Sequence, residues 1–387
     1  MSAKLWTVAL TLLAGAASLA GQPQDIKRLD GTAIKPVEID ETVSRLMKAA
    51  EVPGVGLALF NDGKIAYLKA YGVRDKEKNL PLTVDSVMSG ASFTKVAFAY
   101  LVLQLADKGT LDLDKPVYQY LPKPLPEFPN YADLANDLRY KRITARMLLS
   151  HTSGFPNWRA FEDDRKLKIH FEPGSRYAYS GEGIDLLQLV IEAITKQSLE
   201  RLMQEHVFQP FGMTGTSMVW QDRFENDYAN GYDDYGRSLG PQKRPKADAA
   251  GSLLTTPHDF ANFMQAVMAG KGLSKEMREQ MLSPQIQIFS KHEFPTLENE
   301  TTDENKPIRL SYGLGWGVYW TPYGEPPNLI LVILREGDHL SIQENDEPKQ
   351  DLFAESEQDF FSKVADDALT FEMDSQGRVT RMVLHTG

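Results

Sequence analysis

The residues in this chain best suited to chemistry are in the run Ser92-Phe93-Thr94-Lys95. A serine and a lysine three positions apart share one face of a helix, so the amine can reach the hydroxyl. Residues 92–108 read as such a helix, with Phe93, Val96, Phe98, Leu101, Val102 and Leu105 distributed nearly all round and Gly109 as its stop. A helix apolar on every side is buried, and burial lowers a lysine pKa, so a neutral Lys95 can take the Ser92 proton. The helix N-terminus also favours negative charge developing beside Ser92. A plainer arrangement uses the same residues: Ser92 as an N-cap and Lys95 on the surface of the first turn. Gly90 and Ala91, which leave room for close approach, and the lack of a polar helix face argue against it. A second candidate is Tyr179, in a loop (residues 171–181) that runs into a helix. A loop phenol whose pKa is lowered beside a lysine can shuttle protons. Taken alone, Tyr179 also suits a packing aromatic with a satisfied hydroxyl.

Other chemistries are excluded by what is missing. The sequence has no Gly-x-Ser-x-Gly elbow, phosphate loop or complete Gly-x-Gly-x-x-Gly. Its 7 histidines stand singly, with no His-Glu-x-x-His helix, so no metal site is readable. There is no cysteine, which removes disulfides, thiolate nucleophiles and iron–sulfur clusters. The 387 residues carry 42 Lys+Arg against 53 Asp+Glu, a formal charge of −11, which argues against a nucleic-acid partner because phosphates need cations to replace their counterions. With 42% hydrophobic and 25% charged residues the composition is globular, and the length allows a large core and a second, smaller unit.

The elements that must position Ser92 and Tyr179 are legible in outline. Residues 55–60 and 65–71 form two strands around the turn Asn61-Asp62-Gly63, a β-hairpin. Residues 143–150 are a short helix leading into His151-Thr152-Ser153-Gly154, and residues 183–194 and 257–269 have helical apolar spacing. Residues 312–320 read as a strand. After Tyr323-Gly324-Glu325-Pro326-Pro327 the pattern changes to short β runs (329–334, 340–343, 359–364, 369–373 and 379–384), a small antiparallel β unit of roughly 60 residues. At the other end, residues 1–20 read as a signal peptide: Lys4, an uncharged apolar stretch, then the small residues around Ser18-Leu19-Ala20. An uncleaved anchor is the other reading, although the stretch is short for a bilayer. Export to the periplasm or beyond is therefore expected, with no stable membrane span once the signal is removed. Oligomeric state is left open.

From about Asp40 to about Gly324 the chain resembles the serine β-lactamase-like, penicillin-recognising hydrolases, the branch of class C β-lactamases, D-alanyl-D-alanine carboxypeptidases and related esterases. The resemblance rests on Val52-Pro53-Gly54-Val55, Ser92-Phe93-Thr94-Lys95 and Leu111-Asp112-Leu113-Asp114-Lys115-Pro116, then on Leu148-Leu149-Ser150-His151-Thr152-Ser153-Gly154 and Phe171-Glu172-Pro173-Gly174. It continues through Phe208-Gln209-Pro210-Phe211-Gly212-Met213 and Ala249-Ala250-Gly251-Ser252-Leu253 to Tyr312-Gly313-Leu314-Gly315-Trp316-Gly317. It implies an α+β fold, an antiparallel sheet flanked by helices with a helical lobe, plus the small C-terminal antiparallel β unit. The implied division is 1–20 signal peptide, 21–325 hydrolase domain and 326–387 β unit. It implies Ser92 as acylated nucleophile, Lys95 as its activating partner and Tyr179 as general base and acid, with no cofactor and a small-molecule, ester or peptide substrate. His151 is given no catalytic role and ties down a loop.

The chain departs from the family pattern at two points. The family's Tyr-x-Asn is here Tyr179-Ser180-Gly181, followed by Glu182. The amide that usually meets the substrate's own amide is absent, which leans away from β-lactams toward an esterase- or peptidase-like substrate. Gly181 and Glu182 are then the candidate substrate contacts, Glu182 either as a substitute polar group or as a helix-start charge complementing the dipole. The second departure is larger. The family's Lys-Thr-Gly or His-x-Gly strand, which supplies half of the oxyanion hole, does not follow Tyr312-Gly313-Leu314-Gly315-Trp316-Gly317. The final His385-Thr386-Gly387 matches it only literally, inside the β unit. A segment carrying the third motif is missing from the expected order, and the rival to a working hydrolase is a catalytically impaired ligand- or peptidoglycan-binding relative. If the tail compensates, residues 328–334 should pair beside 312–320. If it pairs only with itself, the main sheet is truncated.

Overall fold

The computed structural model describes residues 25–28, 32–233, 235–297, 299–319, 331–336, 339–344, 349–356, 358–362, 367–373 and 379–386. The expected signal segment and the expected junction at 325–328 lie outside the described residues. Helix α1 (Pro36–Ala49) precedes a hairpin of β1 (Gly54–Asn61) and β2 (Lys64–Asp75), in which Gly54 faces Gly72 and Asn61 faces Lys64. Asp62 and Gly63 both take positive φ, 50° and 72°, the two-residue turn whose twist matches that of the strands. A short β3 (Leu80–Pro81) completes a sheet in the order β1-β2-β3. Strand β4 (Met88–Ala91) leaves it and leads directly into helix α2 (Phe93–Asp107).

Helix α2 is the centre of the core, as its apolarity requires: residues 97–103 have no exposed area. Gly109 follows it at φ +73°, the left-handed position that ends helices. Around α2 pack α3 (Gly181–Thr195), through Ile184, Leu187, Val190 and Ile191, and α4 (Pro257–Met268), whose Phe263 meets Tyr100 edge-on. Between them β5 (Leu253–Thr255) pairs antiparallel with β4, Ser89 opposite Leu254. The segment expected as one strand over 312–320 instead folds back on itself. β6 (Ile286–Gln287), β7 (Ser311–Tyr312) and β8 (Gly317–Val318) form a small sheet in which Tyr312 faces Gly317. The reversal needs Gly315, whose φ is +88° and whose Cβ, if it had one, would overlap Ala99 of α2. Gly315→Ala is therefore expected to destabilise the protein by about 2–3 kcal/mol, combining a strained φ with overpacking, as a lower urea midpoint at unchanged slope would show.

The tail is a six-stranded meander: β9 (Leu331–Glu336), β10 (His339–Glu344), β11 (Gln350–Ala354), β12 (Asp359–Ser362), β13 (Asp367–Met373) and β14 (Val379–Thr386), each paired with the next. Ile342, Leu352 and Leu369 form its buried centre. β11 was not expected, because Leu352 is its one buried residue and a period of two cannot show in so short a run. Among the described residues β9 pairs only with β10, and no tail strand joins β1-β2-β3. Among the described residues the tail therefore pairs only within itself. The literal His385-Thr386 match sits in β14, with His385 opposite Ala368. On one face of β1 a groove of about 350 Å³ is lined by Gly56, Ala58, Phe60, Phe93, Phe260 and Met264. Among the described residues no helix is long and apolar enough to cross a membrane.

Candidate active site

Ser92 is exposed at the bend where β4 turns into α2, after Ala91 at φ +39°. Thr94 holds the bend: its hydroxyl donates to the Ala91 carbonyl and accepts the Leu253 N–H at 2.9 Å, joining β4, α2 and β5. Lys95, one helical turn on, is 4% exposed. Its Nζ lies 3.1 Å from Ser92 Oγ and donates to the Ala250 carbonyl at 2.5 Å. The Ala249-Ala250-Gly251-Ser252 segment thus supplies the carbonyl that aims the amine, and Asp248 fixes it by accepting the Ala250 N–H at 2.7 Å.

Burial pulls the Lys95 pKa down to about 8, against the opposing pull of the Asp185 and Asp248 charges. Asp185 is itself pushed up to about 8, by burial first and then by Asp248 and Glu182. The protonated form of Asp185 is therefore favoured at neutral pH. Neither aspartate was expected from sequence. Asp185 sits on the apolar helix α3 and is marked only by being an acid where that pattern calls for a hydrophobic or neutral residue.

Tyr179 packs on the same amine, but not in the way expected. Lys95 Nζ lies 4.9 Å from the centre of the phenol ring, over its face. Burial raises the Tyr179 pKa, with a hydrogen bond to Ser92 opposing it and the Glu293 charge adding to it. The expected lowering by a neighbouring lysine is not found, because desolvation outweighs the opposing interaction with Ser92. Tyr179 therefore stands as a phenol, suited to donating a proton. Its loop is tied down by His151: the imidazole Nδ1 accepts the Ser180 N–H at 3.1 Å, and the ring lies 4.5 Å from that of Tyr179. His151 is 1% exposed and burial lowers its pKa to about 3, so it remains a neutral acceptor. On the outer side Phe294, 58% exposed, meets the Tyr179 ring edge-on at 5.9 Å.

Gly181 and Glu182 both have partners within the protein. Gly181 begins α3, and a Cβ there would fall among Cη2, Cζ2 and Cζ3 of Trp158. Glu182 is buried and both its oxygens are engaged by Arg159: Oε1 accepts from the backbone N–H at 2.9 Å and Nε at 2.8 Å, Oε2 from Nη2 at 2.5 Å. Glu182 stands in the first turn of α3, the helix-start position, and makes an ion pair that braces the 157–159 loop against α3. The sequence gives no pattern linking Arg159 to Glu182, since 23 positions separate them. Among the described residues no three His, Asp or Glu side chains converge as a metal ion would require.

Residues 39–339 match the family profile described as Beta-lactamase. Among curated relatives, Protein flp of Staphylococcus aureus (strain N315) is 27% identical over 211 residues, covering 51% of this chain and 41% of that protein. Esterase EstB of Burkholderia gladioli is 31% identical over 222 residues, covering 50% of this chain and 54% of EstB. The chain thus spans about half the length of the curated relatives it matches. Among solved structures, the octameric penicillin-binding protein homologue from Pyrococcus abyssi superposes with a TM-score of 0.59 at 20% identity, over 89% of this chain and 95% of that one, a likeness of fold.

Proposed function

The chain belongs to the beta-lactamase family, and from that premise we propose that it is an exported serine hydrolase that opens an ester, amide or β-lactam bond through an acyl-enzyme on Ser92. The observation that carries this is the contact of Lys95 with Ser92 at 3.1 Å, with the amine buried and its pKa drawn down to about 8. In this reading neutral Lys95 accepts the Ser92 proton as Oγ attacks the carbonyl carbon. Tyr179, beside the same amine, gives its phenolic proton to the departing oxygen or nitrogen and recovers one from the Lys95 ammonium. Water then enters on the acyl carbon, the same groups return the protons, and Ser92 is released. The likeness to an esterase supports an ester among the substrates. The signal-like residues 1–20 support action in the periplasm or outside the cell.

The test is a fluorophosphonate or penicillin probe on the purified protein, read by intact mass and peptide mapping. One adduct on Ser92, absent in Ser92→Ala, is expected. No adduct under conditions that label an intact relative sinks the hydrolase reading, and an adduct surviving Ser92→Ala sinks the site. A second reading, an impaired relative that binds ligand and turns over poorly, is favoured by one observation: among the described residues the outer edge of β1 has no partner strand. Loss of one oxyanion donor costs about 2.7–4 kcal/mol in the transition state. A stoichiometric adduct that never releases its acyl group would distinguish this reading from turnover.

A further inference from the structure

We propose that Trp158 sets the specificity of this site, as an aromatic wall that selects esters of aromatic or bulky apolar acids over amides; this rests on the acyl-enzyme reading above. The benzo edge of the indole occupies the volume that any side chain at position 181 would fill, so Gly181 and Trp158 are one device: a larger residue at 181 excludes the ring. The ring stands beside the reacting pair, with Lys95 Nζ 5.7 Å from its centre and the Tyr179 ring on the same amine at 4.9 Å.

The wall is held in place before any ligand arrives. Asn157 accepts the Gly181 N–H on its side chain and the Glu182 N–H on its carbonyl, both at 3.1 Å. Arg159 grips Glu182 with two nitrogens and donates a further hydrogen bond to the Asn130 carbonyl at 2.5 Å. Trp158 lies between these anchors and packs on the main core. Its benzo edge has neither donor nor acceptor, so a substrate N–H laid against it loses water and gains no partner. An ester has no N–H at that position, and a flat acyl group gains ring contact.

Three substrates read this out: p-nitrophenyl acetate, p-nitrophenyl phenylacetate and the p-nitroanilide of phenylacetic acid, with melting curves and probe labelling on every protein. In the wild type the phenylacetyl ester should be preferred over both others. In Trp158→Ala the ratio of kcat/KM for phenylacetyl over acetyl ester should fall about tenfold, with Trp158→Phe between the two. In Trp158→Ala with Gly181→Asn, the carboxamide restores a partner and the anilide should gain on the ester. Equal losses on both esters, or an unchanged ratio in both Trp158→Phe and Trp158→Ala, overturn the proposal. If Trp158→Ala does not fold, Trp158→Phe decides by the same ratio. A wild type that labels on Ser92 yet shows no acyl preference overturns the inference alone, whereas a wild type that does not label removes the hydrolase reading and the inference with it.

Discussion

Lys95→Met is expected to slow acylation of Ser92 by about 10²–10⁴-fold, the usual worth of a positioned general base. Methionine keeps the length and most of the volume of lysine in a buried position, so the loss reports the amine rather than a cavity. The pH profile carries the sharper evidence. With a pKa of about 8, Lys95 is neutral in roughly one molecule in ten at pH 7 and in half of them at pH 8. In the proposed mechanism the working form is the neutral one, so the labelling rate should rise about tenfold per unit below pH 8 and level off above it. Asp248→Asn removes a negative charge that holds the Lys95 pKa up, and should move that bend to lower pH. Tyr179 is raised by burial and does not ionise across this range, so it adds no second bend there. Stopped-flow labelling between pH 6 and 9 measures both points. A flat profile in the wild type, or a slope that persists in Lys95→Met, would remove Lys95 from the role of base.

Arg159→Ala is expected to destabilise the fold by about 3–5 kcal/mol, because it leaves the Glu182 carboxylate buried without its partner. The damage should spread, since the pair joins the first turn of α3 to the loop carrying Trp158, and Ser180, next to Tyr179, caps that helix by accepting the Gly183 N–H at 2.9 Å. Removing both charges, with Arg159→Met and Glu182→Gln together, should cost less than the single change, as no buried charge is then stranded. Urea unfolding of the two single variants and the double variant gives the coupling. Additive losses would mean that the pair does not act as a brace.

Much of the fold was readable because its signals are local. The all-round apolarity of α2, the Asn61-Asp62-Gly63 turn and the stop at Gly109 each follow from a few neighbouring residues whose physics is complete at short range. Ser92 and Lys95 were legible for the same reason: three positions on a helix bring them together whatever surrounds them. Where the sequence pattern failed, long-range contact had overridden it. The single strand expected over 312–320 became β7 and β8 because Gly315 must fold tightly against Ala99 of α2, a contact that no local period encodes.

The site divides along the same line. By itself the sequence marked Ser92, Lys95 and Tyr179, the family pattern and the two places where that pattern breaks. Only the tertiary structure decided what surrounds those breaks, since both depend on residues far apart in the chain. It turned Tyr179 from an ionising group into a phenol, through desolvation by rings drawn from several segments. It placed Trp158 in the space vacated at Gly181 and gave Glu182 to Arg159. It also paired the tail strands with one another, leaving the edge of β1 without a partner among the described residues. Spacing along a helix sets which side chains can meet. How much water surrounds them when they do, and therefore their protonation state and what they will accept as substrate, is set by everything packed around them.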